Sequence, residues 1–144
     1  MTPNELRALA DRAVACRGWR WMPGMRVVGI PSRMLLEDED GCGRWIDSTP
    51  TDCLMAQGIP DLTDPATLGC LLALVREAWR CPAVYARQGT TRRVSDGVLA
   101  WEVCGLWLDA EACRALGVDR QGSVGSWGHA SEAEALVAAL EAAP

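Results

Sequence analysis

The chain has 144 residues, a formal net charge of −5 and an apolar content of 49%. One domain covering residues 1–144 is expected, because a chain near this size buries roughly 70% of the surface its unfolded form exposes, and that composition excludes intrinsic disorder. The acidity opposes phosphate backbones and sets non-specific nucleic-acid binding aside, while the absence of any apolar run of about 18 residues excludes a membrane-spanning helix.

Thr2 opens the first element as N-cap, with Pro3 at the first helical position and Glu5 placed to close a capping box. Leu6, Leu9, Ala10, Ala13 and Val14 recur at helical spacing, and Gly18 marks the expected stop. In "GWRWMPGMRVVGI", Trp19 and Trp21 alternate with Arg20, which predicts a strand broken at Pro23-Gly24 and resumed in "MRVVGI". Aromatics beside arginines also suit nucleic-acid contact, but two half-buried strands account for them more simply. Residues 32–60 show little periodicity: "EDEDGCG" reads as a charged turn, "RWID" as a short strand, "STPTD" and "QGIPD" as loops. The acids from Glu37 to Asp40 lack the spaced ligands of a calcium loop, so a solvated turn is expected.

Residues 61–79, "DLTDPATLGCLLALVREAW", specify a helix firmly. Asp64 is its N-cap, a contact whose removal costs on the order of 1 kcal/mol, and Pro65 sets the first helical φ. Leu68, Leu71, Leu72, Val75 and Trp79 share one side, and Cys70, Leu74 and Ala78 widen it until only Arg76 and Glu77 look wet. So broad an apolar face predicts a central helix packed on a sheet. "CPAVYARQ" and "VLAWEVCGLWL" then read as two strands joined by the hairpin loop "GTTRRVSDG". In the second, Leu99, Trp101, Val103 and Trp107 face one way and Ala100, Glu102, Cys104 and Leu106 the other, and its apolar length predicts a central position. Asp109 caps a short helix, "AEACRAL", ended by Gly117, and "GSVGSWGH" reads as a glycine-weakened strand. Ser131 and Glu134 cap the last helix, which turns Leu136, Val137 and Leu140 inward and leaves Glu132, Glu134 and Glu141 exposed. Strands in runs joined by turns predict an α+β fold, a mostly antiparallel sheet packed with helices in an α/β/α-type sandwich.

Chemistry is sparse. Every one of the 14 basic residues is arginine, so a Walker lysine is impossible, and no G-x-G-x-x-G occurs. The seven cysteines are odd in number and form no C-x-x-C, and "MTPNELRALADRAVACRG" is charged and amphipathic rather than a secretory signal, so reduced, mostly buried thiols in a cytoplasm are expected. No metal site is expected from scattered thiols and one imidazole, and no cofactor motif is found. His129 is the single general base near neutral pH, and Cys104 and Cys113 have no context that makes either its nucleophile. No catalytic residue is assigned. The seven tryptophans each bury about 150–250 Å² and supply core or interface. Arg92 and Arg93, in the hairpin loop, suit a phosphate or carboxylate on a partner.

"PDLTDPATLGCLLALVREAW" with the C-terminal "EAEALVAALEAA", and less closely "GWRW" and "GMRV", resembles a group of small phage and prophage proteins with a phage α/β/α sandwich domain. That resemblance implies phage origin, the sandwich fold and a bacterial cytoplasm, and brings no catalytic residues with it. The function expected is therefore a non-enzymatic accessory protein that binds a host or phage macromolecule, with a host or phage protein as the expected partner and host-defence inhibition one form. Trp19, Arg20, Trp21, Arg92 and Arg93 are its candidate contacts, since Trp and Arg are the usual interface anchors. The alternative is a small-molecule-binding protein or hydrolase with a pocket at His129, and a self-associating homo-oligomer is a third reading.

Overall fold

In the computed structural model, which describes residues 1–28, 34–37, 43–46, 58–93, 99–106, 121–123 and 128–144, the chain is α+β. Its described elements run α1 (Pro3–Ala15), β1 (Met34–Glu37), β2 (Gly43–Ile46), α2 (Pro65–Ala78), β3 (Tyr85–Arg93), β4 (Leu99–Leu106), β5 (Gln121–Ser123) and α3 (Glu132–Glu141). The first pair of strands forms an antiparallel hairpin, and the other three form an antiparallel sheet in the order β3-β4-β5. The expected helix over residues 110–116 lies outside the described residues.

Helix α1 starts as its sequence dictates. The Thr2 hydroxyl accepts from the Glu5 amide, and the Glu5 carboxylate accepts from the Thr2 amide at 2.6 Å, a closed capping box. Leu9, Ala10 and Ala13 are buried, but Val14 is exposed. At 3.6 residues per turn Val14 sits about 90° round from the centre of that stripe, so α1 covers its neighbour with a narrower face than expected. It stops at Cys16 with extended backbone. Gly18 is no left-handed cap; a Cβ there would lie 3.2 Å from Leu140 Cδ1, so glycine lets the chain pass close to α3.

No strand forms at Trp19–Met22, and the one expected from Met25 is reduced, over the described residues 25–28, to bridge positions. Residues 19–22 have no regular structure, and among the described residues the following run pairs only through an isolated bridge between Val27 and Pro60. What Pro23-Gly24 encodes is a type II turn: Gly24 has φ 94°, and the Met25 amide donates to the Met22 carbonyl at 3.1 Å. The turn drives Met25 into the core, where it is fully buried. The next residue is tied to α2: the Arg26 amide donates to Thr67 Oγ1 at 2.9 Å, and Thr67 Oγ1 donates to Asp64 Oδ2 at 3.1 Å. Asp64 Oδ2 also accepts from the Thr67 amide at 2.8 Å, completing the N-cap. Buried Thr67 is thus satisfied on both sides of its hydroxyl.

Helix α2 ends in a Schellman motif with an unusual residue. Arg80 takes φ 49°, its amide donates to the Glu77 carbonyl at 3.0 Å, and the Cys81 amide donates to the Arg76 carbonyl at 2.9 Å. Arg76, expected to be wet, donates from Nε to the Val84 carbonyl at 2.7 Å and wraps this turn. Cys81 and Val84 enter the core, and β3 begins at once.

β4 is central in its sheet, as its apolar length predicts. The β3–β4 register pairs Tyr85 with Cys104 and Gln88 with Trp101, then slips so that residues 89–92 face Ala100 alone before Arg93 pairs with Leu99. β5 pairs Cys104 with Ser123. An unbroken ladder would set Trp101 opposite residue 126, yet Trp101 and His129 exchange both backbone hydrogen bonds, at 2.8 and 3.3 Å. Gly128, with φ 89°, turns the chain into that position.

The central helix is α3, not α2. Seven of its residues are buried, Ala133 and Ala135 to Leu140, and α1, α2, β3 and β4 all pack on it. A helix apolar on all sides is an interior helix. Helix α2 contributes Leu71, Leu74 and Val75, all fully buried, and packs chiefly on α3. The two are locked by the buried Trp79 indole, which donates from Nε1 to the Ala139 carbonyl at 2.8 Å. In the last turn of α3 the Ala142 amide goes to Ala138 and the Ala143 amide to Leu140, so the indole serves a carbonyl that the helix itself leaves over.

Two variants test this account by urea denaturation. Trp79→Phe keeps an aromatic ring but removes part of the buried volume and orphans the Ala139 carbonyl, and is expected to cost about 2–4 kcal/mol. Arg80→Gly relieves the positive φ and is expected to stabilise by about 1 kcal/mol.

Candidate functional site

The C-terminal ends of α1, α2 and α3 converge on a cleft of about 620 Å³, bordered by Arg12, Arg17, Glu77, Arg80 and Glu141. A second hollow of about 270 Å³ shares Arg17, Gly18, Glu77 and Ala78 with it and adds Trp19 and Arg20. The two adjoin across those four shared residues, and together they are the groove. Both glutamates in it are engaged. Arg12 grips Glu141 with a fork, Nε to Oε1 at 2.9 Å and Nη2 to Oε2 at 2.6 Å, and Arg20 Nη2 donates to Glu77 Oε2 at 2.7 Å. Arg17 and Arg80 make no ion pair among the described residues. The Arg12 fork holds the Glu141 carboxyl below the ordinary carboxylate range and raises the Arg12 guanidinium.

Trp19 and Trp21 meet edge to face, with centroids 5.7 Å apart at 78°. Both are half-buried and pack on the main core, so most of each ring is committed to the fold. Arg20 lies on the groove's rim. Arg92 and Arg93 stand in a strand: the slipped register carries β3 through Arg93, and residues 94–98 lie outside the described residues. The structure therefore joins Trp19, Arg20 and Trp21 in one region and puts the other two arginines on a separate element. Arg12, Arg17 and Arg80 are site residues that sequence reasoning passes over. Arg17 and Arg80 each follow a readable helix end within two residues, and that position is the signal that could have found them.

His129 borders a third, shallow cleft of about 380 Å³ with Arg12, Glu134, Ala138, Glu141 and Ala142. It is half-buried and does meet carboxylates. Glu141 is held by Arg12, however, and Glu134 Oε2 accepts from the Ala130 amide at 2.9 Å as part of the α3 cap. The thiols are no better prepared for chemistry, because burial pushes those of Cys16, Cys70 and Cys104 up, away from the thiolate. Among the described residues no group of three or more His, Cys, Asp or Glu could hold a metal ion, and no helix is long and apolar enough to cross a membrane.

In comparison with known proteins, no family model, no curated protein and no solved structure matches the chain.

The Arg12–Glu141 pair makes a pH prediction. With its folded carboxyl lowered, Glu141 stabilises fully above the unfolded value of about 4.3 and loses that contribution as pH falls through the lowered folded value. The two side chains are 53% and 37% exposed, so the effect is under about 1 kcal/mol. Glu141→Gln is expected to lower stability at neutral pH, and the gap is expected to close as pH falls below the ordinary carboxylate range, read by chemical denaturation from neutral to acid pH.

Proposed function

We propose that the chain is a non-enzymatic binding protein that docks a partner protein through the arginine-bordered groove at the helix C-termini. In the form suggested by the resemblance of its α2 and α3 segments, it is a phage accessory protein and the partner is a host or phage protein. One observation carries the binding reading: the groove's glutamates are matched by Arg12 and Arg20, while Arg17 and Arg80 in the same groove have no ion pair among the described residues. Arginine forks are strong anchors for acidic groups, and arginine is enriched at interface hot spots.

A second reading places a small molecule, and with it hydrolysis, at His129. It is favoured by the cleft that brings His129 to Glu134 and Glu141. It ranks behind because both carboxylates of that cleft already serve structural partners, Arg12 and the Ala130 amide.

Affinity capture from bacterial lysate at native expression levels tests the binding reading. Wild type is expected to retain one partner in near-stoichiometric amount, and Arg17→Glu with Arg80→Glu is expected to lose it by at least about tenfold, since reversing two contact charges repels an acidic partner. A wild type that returns only itself contradicts the proposal.

A further inference from the structure

Two donors in the groove, and a third buried beside it, are unengaged by their surroundings. Arg17 and Arg80 have no ion-pair partner among the described residues, and the Trp19 indole N–H is buried with no hydrogen bond among them. Buried N–H groups are rarely left orphaned, and such a group marks a site of strain or of an unrecorded acceptor. The ordinary structural use of an arginine after a helix is to cap its last carbonyls. Here other donors already fill that role. The Cys81 and Arg80 amides serve Arg76 and Glu77, the Cys16 amide serves Ala13, and the Trp79 indole serves Ala139. The two guanidiniums are therefore surplus to the helix ends as well as to the glutamates.

From this we propose that the groove binds one oxyanionic group, a carboxylate or a phosphate, held by Arg17 and Arg80. Trp19 borders the adjoining hollow beside Arg17, so its N–H, closed to solvent, senses the anion without touching it. A guanidinium presents forked donors that match two oxygens of either group. The net charge of −5 repels an extended polyanion, so the ligand is an isolated acidic group on a peptide or small molecule and not a nucleic-acid backbone. This inference rests on the binding reading above and gives it a ligand chemistry.

The test uses the full chain, labelled with nitrogen-15 and titrated separately with sodium phosphate and with succinate. Ionic strength is held constant with sodium chloride. Saturable shifts are expected for the Trp19 indole resonance and for the Nε–Hε resonances of Arg17 and Arg80. Apparent affinity is expected to fall by at least about tenfold in Arg17→Gln with Arg80→Gln, because each lost guanidinium removes a charge-assisted contact. Arg80→Gly, which keeps the left-handed turn unstrained, and Arg17→Gln alone are each expected to weaken binding, and they decide the matter if the double variant unfolds. Saturation by only one of the two probes supports the site and selects phosphoryl or carboxyl chemistry. Linear shifts that chloride reproduces, or saturation that persists unchanged in the variants, overturn it. Partner capture that survives alongside a failed titration would leave the binding reading standing and remove the oxyanion assignment alone.

Discussion

The hydrogen bond from Trp79 Nε1 to the Ala139 carbonyl, 2.8 Å long and buried, is the contact on which the rest of the architecture turns. An interior helix has a problem at its C-terminus: its last carbonyls lack helical donors, and burial denies them water. Helix α3 meets that problem with a donor supplied by α2. The contact requires α2 to end where Trp79 becomes its C-cap, and the left-handed turn at Arg80 follows from that ending. The turn in turn sends Cys81 and Val84 inward and releases β3 alongside α3. One donor–acceptor pair thus fixes the relation of two helices and the start of the sheet.

The ion pairs act differently. Arg12–Glu141, Arg20–Glu77, Arg26–Asp64 and Arg87–Glu102 join elements far apart or on neighbouring strands, and every arginine among them is about half exposed. Pairs of that kind contribute little each. The stability comes from the fully buried residues of α2, α3 and the sheet, among them Leu71, Val75, Leu136, Val137, Val84 and Val103. What the pairs decide is electrostatic: they neutralise the groove's glutamates and, among the described residues, leave Arg17 and Arg80 available. Four arginines border the groove against two glutamates, which makes its side chains net positive within an acidic molecule.

Much of the fold is legible in the chain, and the places where the chain misleads have physical causes. Both helix starts at Thr2 and Asp64, the Ser131 cap, the antiparallel β3–β4 pair and the central place of β4 follow from local rules of capping and alternation. "GWRW" misleads because alternation of tryptophan and arginine satisfies a strand and an irregular segment equally, when each ring is half-buried against a core. β1 escapes a reading of periodicity because its four residues are too short a run to show one. Taking α2 over α3 as the central helix comes from weighing leucines and overlooking alanines. Ala133, Ala135, Ala138 and Ala139 carry little hydrophobic weight, yet their small side chains are what allow neighbours to close on α3 from all sides. Of the candidate site, Trp19 and Arg20 are visible in sequence, whereas the groove's unmatched arginines are not.

The sequence by itself determined where helices begin, which strands pair as neighbours, that the chain is α+β, and that lysine-dependent phosphate chemistry is absent, because each of these depends on residues within about one or two turns or on composition alone. Only the tertiary structure decided which helix lies at the centre, which arginine meets which carboxylate, and which two of the groove's arginines are left over. Arg12 and Glu141 stand 129 positions apart, and no local rule links them; their meeting depends on α1 and α3 packing together, and that packing depends on the shape of a buried surface that exists only once the chain has folded.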